Sequence, residues 1–250
     1  MTEENTTEEQ GNQPPVLYER IVPLSVKLHQ DLKMADKMNF SFAVRVNAVP
    51  IVMQELPMAV KYFPIVFAGG GSGIMLAVLG IKNEENLFVD DEGNWMENTY
   101  IPAYIRRYPF FIARKDKTSN PIICFDDSST LLSTDGANAL FENEEQTDVL
   151  KGIVDFTRNF QQHLEASIEF GLMVEEMDML EEQQISFKTD GVVQAAVSSF
   201  KSIKREKFDA LDAGALKSWL EKGWVDSTVL HLASGSNFDR LWKIHQQRNA

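Results

Sequence analysis

Residues 56–68, LPMAVKYFPIVFA, and residues 101–113, IPAYIRRYPFFIA, decide the fold because they are two copies of one pattern. Pro57 aligns with Pro102 and Pro64 with Pro109, an offset of 45 in both cases. Each copy has a base at the same step, an aromatic residue before its second proline, and an apolar run after it. Self-similarity at a fixed spacing indicates an internal duplication of one structural unit.

The two prolines of each copy predict its local structure. Proline is tolerated in the first turn of a helix, where its missing N–H would have been unpaired anyway. The second proline disfavours helix at the residue before it, so the helix ends and an apolar strand follows. A second apolar run comes after the glycine-rich residues 69–73 in one copy and after the polar residues 114–120 in the other. Such turns predict hairpins, and we expect two α-β-β units that share one sheet within residues 16–135.

The remaining segments predict an α+β fold with a mainly antiparallel sheet. Residues 16–24 and 40–52 are expected to be extended, and apolar residues three and four apart predict a long helix over residues 146–179 that docks on the sheet. Residues 184–188 and 193–203 are interpreted as strands joined by a turn at 189–191, with helices from residue 209 onward. No linker is visible, so we expect a single domain over residues 16–250, preceded by a disordered segment at residues 1–15.

Composition excludes several functional classes. The formal net charge is -13, which argues against nucleic-acid binding because that requires clustered lysine and arginine. Apolar runs of about ten residues are too short for a membrane span, which needs about 20. The N-terminus has neither a basic nor an apolar region, so we expect no cleaved signal peptide and a cytoplasmic location. The one cysteine, Cys124, lies in an apolar run and is expected to be buried, without a disulfide.

Four stretches of the chain resemble the SapC family. Residues 17–24, LYERIVPL, and 62–68, YFPIVFA, are similar to that family, as are residues 85–110, which include ENLFVD and YIPAYIRRYPF. Residues 199–208, SFKSIKREKF, are similar to its C-terminal half. The resemblance covers nearly the whole chain and is most specific in the central block.

The resemblance implies little about chemistry. The family name is tied to bacterial surface-layer loci, which implies a surface-layer or serum-resistance association. The resemblance also implies that members are companions of flavin-dependent tryptophan-halogenase-like and TonB-receptor genes. Surface association would require export by a non-cleaved signal. The resemblance provides no catalytic residues that could be carried over.

The two corners of the repeat combine bases with aromatic residues. Basic side chains beside aromatic rings in an acidic protein either bind a carboxylate or phosphate or pair with internal acids. The aromatic residues form either core or the walls of a ligand pocket. The candidate ligand-binding residues are Lys61, Tyr62, Tyr104, Arg106, Arg107, Tyr108, Asp126 and Asp127.

Other candidate sites each have a plainer interpretation. Asp126 and Asp127 follow an apolar strand, where carboxylates act either in catalysis or as turn residues. The glycines of residues 69–73 suit either a hairpin turn or a phosphate loop, and residues 90–94, DDEGN, suit either a turn or a metal loop. No histidine lies near another histidine or the cysteine, so we expect no metal site and no cofactor.

Three functions remain open from the sequence. The first is a non-enzymatic binding or accessory protein that recognises a peptide, protein or small ligand at an aromatic-basic corner. The second is a surface-layer-associated structural protein. The third is an enzyme whose site is assembled from distant residues such as Arg106, Asp126, Asp127 and His163.

Overall fold

The fold is described from a computed structural model, which covers residues 15–114, 119–189 and 192–249. The predicted lead-in at residues 1–15 falls outside these ranges except for Pro15. The middle of the polar segment 114–120 and the centre of the predicted turn at 189–191 also lie outside the described residues.

Eight α-helices and two single 3₁₀ turns form the helical part of the described chain. The 3₁₀ turns are Ser41–Ala43 and Met53–Glu55. The helices are α1 Val26–His29, α2 Leu56–Ala59, α3 Ala103–Arg106, α4 Asp148–Glu176, α5 Arg205–Asp209, α6 Ala213–Glu221, α7 Trp224–Ser234 and α8 Asn237–Arg248.

Thirteen strands form the sheets of the described chain, and all of their pairings are antiparallel. The strands are β1 Ile21–Pro23, β2 Lys33–Met34, β3 Ala48–Pro50, β4 Ile65–Ala68, β5 Met75–Val78, β6 Phe110–Ala113, β7 Ile122–Asp126, β8 Leu132–Ser133, β9 Asn138–Ala139, β10 Phe141–Glu142, β11 Glu145–Gln146, β12 Leu180–Thr189 and β13 Val192–Ile203. Mixed helices and antiparallel sheets make this an α+β fold, as predicted.

The strands form one five-stranded sheet and three smaller ones. The larger sheet has the order β12-β13-β4-β5-β3, and a three-stranded sheet has the order β1-β7-β6. Strands β8, β2 and β9 form a second three-stranded sheet, and β10 pairs with β11.

The two repeat copies do not share a sheet, and that expectation was wrong. Each copy has a short helix followed by two strands, α2-β4-β5 and α3-β6-β7. However, β4 and β5 lie in the five-stranded sheet, whereas β6 and β7 pair with β1 in a separate sheet. The physical reason is that each hairpin recruits a different third strand, β3 for the first copy and β1 for the second.

Helix α4 runs between the two sheets. It contacts β5 of the five-stranded sheet and β6 of the three-stranded sheet. The Phe170 ring lies 6.0 Å from Phe67 of β4, and the Phe160 ring lies 6.1 Å from Tyr104 of α3. The main buried core therefore forms where α4 meets both repeat copies.

Two of the predicted extended regions are largely irregular. Within residues 16–24 only Ile21–Pro23 forms a strand, because the preceding backbone bonds to the Asp126 side chain rather than to a neighbouring strand. Within residues 40–52 a 3₁₀ turn precedes the short strand β3. Each predicted extended region therefore contains one short strand, β1 or β3, and is otherwise irregular.

Candidate functional site

Helix α3 presents two arginines at the corner of the second repeat copy. Pro102 precedes its first residue, and the Arg107 N–H donates to the Ala103 carbonyl at the C-terminal end. Pro109 then ends the turn before β6, as the sequence pattern predicts. Arg106 is exposed at the end of this helix, whereas Arg107 at the C-cap is buried in the core.

Arg107 is a buried cation surrounded by aromatic rings. It is only 6% exposed, and its guanidinium carbon lies 4.3 Å from the Tyr104 ring centre, 4.8 Å from that of Phe160 and 5.7 Å from that of Tyr18. Its Nε is buried without a hydrogen-bond partner, and it forms no salt bridge with a carboxylate of the described residues. Ring faces attract a cation but do not neutralise it, so the positive charge of Arg107 has no protein counterion in this part of the chain.

Arg106 lies beside it at the surface. Its Nε donates to the Ile101 carbonyl at 3.0 Å and its Nη2 to the Tyr100 hydroxyl at 3.1 Å. The guanidinium lies 5.1 Å from the Phe156 ring centre on α4. Arg106, like Arg107, forms no ion pair within residues 15–114, 119–189 and 192–249, so the corner retains two cations.

A cavity of about 330 Å³ opens between α3 and α4, and we refer to it as the α3–α4 cavity. It has a basic and aromatic side from α3 and a mostly apolar side from α4. Its lining residues are Met34, Arg106, Arg107, Tyr108, Phe110, Asp148, Val149, Gly152, Ile153, Phe156 and Thr157. Apolar walls with a few charged groups are typical of small-ligand sites.

Three buried phenols around the corner are neutral hydrogen-bond donors. Burial raises the pKa of Tyr18 and Tyr104 above the ordinary value, opposed in each by the Arg107 guanidinium. Burial also raises the pKa of Tyr108 to about 12. The Tyr18 hydroxyl donates to the Phe110 carbonyl and the Tyr104 hydroxyl to the Val16 carbonyl, each at 2.8 Å. These phenols therefore hold the segment before β1 against the corner.

Asp126 is fully buried at the end of β7, and its carboxylate is saturated with donors. It accepts from the main-chain N–H of Glu19 at 2.8 Å and of Arg20 at 3.0 Å, from the Ser128 hydroxyl at 2.7 Å and from the Tyr108 hydroxyl at 3.3 Å. Burial acts to raise the pKa of this carboxyl, but the hydrogen bonds outweigh it and the pKa lies below its ordinary value. Asp126 is thus held ionised.

Asp127 points away from that network and pairs at the surface with Arg20, 2.9 Å from carboxylate to guanidinium. Neither Asp126 nor Asp127 lines the α3–α4 cavity. Tyr108 connects the two regions, because it lines the cavity and donates to Asp126.

The matching corner of the first repeat copy is covered by α8. Lys61 is exposed, and its carbonyl accepts from Arg240 at 3.1 Å. The Arg240 guanidinium lies 5.2 Å from the Tyr62 ring centre. Lys61 and Tyr62 are therefore separate from Arg106, Arg107 and Tyr108, which the structure brings together.

The remaining candidate motifs have structural roles or exposed positions. Residues 69–73 form the turn between β4 and β5, and the left-handed φ of Gly70, Gly71 and Gly73 explains their identity. Asp90 accepts from the main chain of Glu92 and Asn94, as in an ordinary turn.

Cys124 is buried and His163 lies exposed on α4. Among the described residues, no group of three or more histidine, cysteine or acidic side chains is placed to hold a metal ion.

Glu55 and His231 are buried polar side chains whose contacts the sequence did not predict. Glu55 accepts from the Tyr100 hydroxyl at 2.9 Å and the Ala103 N–H at 2.6 Å. Glu55 and Tyr100 are 45 residues apart and directly precede the two repeat copies, but this spacing does not by itself predict a contact between them. The other is His231, which is remote in sequence from its partners and carries no local signal.

His231 joins α7 to β13. Its Nε2 accepts from the Ile203 N–H at 3.1 Å and lies 3.1 Å from the Ser202 hydroxyl. Burial lowers the pKa of His231 to about 4, an effect that the Ile65 carbonyl opposes. Among the described residues, its Nδ1 has no well-formed hydrogen bond and no carboxylate orients it, so the serine–histidine contact lacks the third member of a triad there.

The part of the chain described by the structure contains no helix long and apolar enough to cross a membrane. No curated protein and no solved structure matches this sequence. A family model described as SapC matches residues 24–241, which is most of the 250 residues. The chain therefore belongs to the SapC family.

Proposed function

We propose that this SapC-family protein is a non-enzymatic binding or accessory protein that takes up the anionic group of a peptide, protein or small ligand in the α3–α4 cavity. The observation that carries the proposal is Arg107, a cation that is 6% exposed and has no carboxylate partner among the described residues.

The buried positive charge of Arg107 has an energetic cost. Taking a cation out of water costs several kcal/mol, and a cation left without a partner is usually destabilising. The three ring faces around Arg107 offset part of that cost, at about 0.5–2 kcal/mol each. A carboxylate or phosphate entering beside Arg106 and Arg107 would supply the missing counterion, and guanidinium groups bind both anions with two parallel hydrogen bonds.

The titratable groups nearby support binding rather than acid–base chemistry. Asp126 is held ionised by its donors, and the phenol of Tyr108 has a pKa of about 12, far from neutral pH. General acids and bases work best with a pKa near the operating pH. The cavity lining contains Arg106 but not Asp126, Asp127 or His163.

The test is calorimetric titration with inorganic phosphate and with succinate, combined with thermal unfolding in the same anions. We expect one of them to bind wild-type protein and to raise its unfolding temperature. Arg107→Met should abolish both effects, while its unliganded unfolding temperature equals or exceeds that of wild type because an uncompensated buried charge has been removed.

Lys61→Met is the matched control. It also removes one positive charge, but from an exposed side chain at the corresponding corner of the first repeat copy, so anion binding should persist. Equal anion responses from wild-type and Arg107→Met protein would contradict the proposal, as would the absence of any response to either anion.

A further inference from the structure

Strand β13 has a long stretch with one strand neighbour. It pairs with β12 along its length but with β4 only through Phe200 and Lys201. Ser199 interrupts the strand with a φ of 63°, and the pairing with β12 skips register at this point. Residues 192–198 therefore have β12 as their one strand neighbour in the described chain.

The side of β13 away from β12 faces a groove of about 390 Å³, which we call the β13 groove. Residues 194–200 line it without a gap. Side chains alternate between the two faces of a strand, so a wall of consecutive residues includes the main-chain edge as well as side chains. The opposite wall contains Val66, Leu76 and Val78, apolar side chains of β4 and β5.

We propose that the β13 groove binds an extended peptide segment of a partner protein, which adds a strand to the free edge of β13. This inference is independent of the α3–α4 cavity. A free strand edge offers N–H and C=O groups at regular spacing, and an extended main chain is the ligand that matches them. Free edges that are not meant for pairing usually carry charge or proline, whereas residues 192–199, VVQAAVSS, have neither.

The lining also defines the chemistry of the segment. Side chains at alternate positions would reach Val66, Leu76 and Val78, so those positions should be apolar. Ala195 and Ala196 are small, which allows a second main chain to approach closely. Among the described residues that line the groove, Lys82 alone is charged, so an acidic residue is expected at that end. The seven free residues span about 23 Å, so a shorter segment of about five residues fits within this stretch.

The test uses the acetylated, amidated peptide TVTVD as the probe, followed by calorimetry and amide hydrogen exchange. We expect exchange of residues 192–198 to slow when the peptide is bound. The same peptide with N-methylated amides at alternate residues should bind at least about ten-fold more weakly, because it keeps the apolar side chains but loses the main-chain donors.

Two variants of the protein complete the experiment. Leu76→Lys places a charge on the half-buried opposite wall and should weaken binding by at least about ten-fold. Leu220→Lys makes the same substitution at an exposed position on α6, away from β13 and the groove lining, and should bind the peptide like wild type.

Three results would overturn the inference. They are unchanged hydrogen exchange at millimolar peptide, equal affinity for the N-methylated peptide, and concentration-dependent dimerisation that protects residues 192–198 without peptide. The last result would assign the edge to a second copy of the chain. The comparison of the two peptides uses wild-type protein only, so it stands even if Leu76→Lys fails to fold.

Discussion

The Tyr100 hydroxyl donates to the Glu55 carboxylate at 2.9 Å, and each of these residues directly precedes one of the two repeat copies. Glu55 is 6% exposed and also accepts from the Ala103 N–H at the start of α3. Burial raises the pKa of Glu55, while these hydrogen bonds act to lower it. The copies lie in different sheets, so this carboxylate is a direct polar link between them.

Removing the hydroxyl that makes this link should destabilise the fold. We expect Tyr100→Phe to lower the free energy of unfolding in urea by about 1.5–3 kcal/mol, the usual contribution of a hydrogen bond to a charged group. Tyr62→Phe is the control, because the Tyr62 hydroxyl has no hydrogen bond to another described residue, and it should stay within about 0.5 kcal/mol of wild type. Equal losses of unfolding free energy in the two variants would show that the Glu55–Tyr100 hydrogen bond does not stabilise the fold.

Helix α4 approaches the β4–β5 turn so closely that one glycine should be irreplaceable. A Cβ on Gly171 would meet the Gly73 carbonyl oxygen, whereas a Cβ on Gly152 of the same helix meets nothing within 4 Å. Gly171→Ala should therefore lose about 1–3 kcal/mol of stability through overpacking. Gly152→Ala should gain up to about 1 kcal/mol through helix propensity. Thermal unfolding of both variants gives the comparison, and a stabilised Gly171→Ala would show that α4 does not pack as described.

His231 should make stability fall in mild acid. It stays neutral when folded, because burial lowers its pKa from 6.5 to about 4, whereas the unfolded chain takes up a proton below pH 6.5. The unfolded state thus binds more protons between these values. Stability is fully present above pH 6.5 and declines as pH falls towards 4, by about 3 kcal/mol at most from this group.

The variant His231→Gln isolates this contribution. Its amide oxygen can still accept from the Ile203 N–H, but it does not titrate. Urea unfolding at several pH values should show a smaller decline below pH 6.5 than in wild type, while exposed His163→Gln should follow wild type. Parallel pH profiles for wild type and His231→Gln would count against the buried, neutral assignment.

Neutralising the neighbouring carboxylates Asp126 and Asp127 should have very different effects on the free energy of unfolding. Asp126→Asn places an amide NH₂ among main-chain donors, so we expect a loss of about 3 kcal/mol. Asp127→Asn breaks an exposed ion pair with Arg20 and should cost at most about 1 kcal/mol. The lowered pKa of Asp126 also means that its contribution is present at neutral pH and is lost as pH falls through its folded-state pKa. Similar unfolding free energies for the two variants would contradict this assignment.

Local sequence patterns predicted local elements better than their assembly. Pro57, Pro64, Pro102 and Pro109 fix backbone geometry within a few residues, so the short helices and the strands after them could be read from the sequence. Which strand joins each hairpin depends on long-range packing. The sequence pattern therefore did not reveal that β1 would pair with β7.

The candidate site was predictable in part for the same reason. Arg106, Arg107 and Tyr108 are consecutive, so the repeat pattern identified them together. Phe156 and Phe160, which complete their surroundings, lie some 50 residues further along on α4 and look like ordinary core positions. The strand-end position of Asp126 suited either catalysis or a turn, but its donors include the main chain of Glu19 and Arg20, which no local pattern connects to it.

The most direct measurement for the central claim is a crystal structure of the protein soaked in 4-bromobenzoate, whose aryl bromide is inert to protein nucleophiles, with data collected at the bromine absorption edge. The carboxylate supplies the anion, and the bromine marks its position. We expect an anomalous peak in the α3–α4 cavity, with the carboxylate bound to the Arg107 guanidinium, and no such peak in Arg107→Met crystals. A cavity that stays empty under these conditions, with Arg107 unchanged among its aromatic rings, would contradict the proposed anion site.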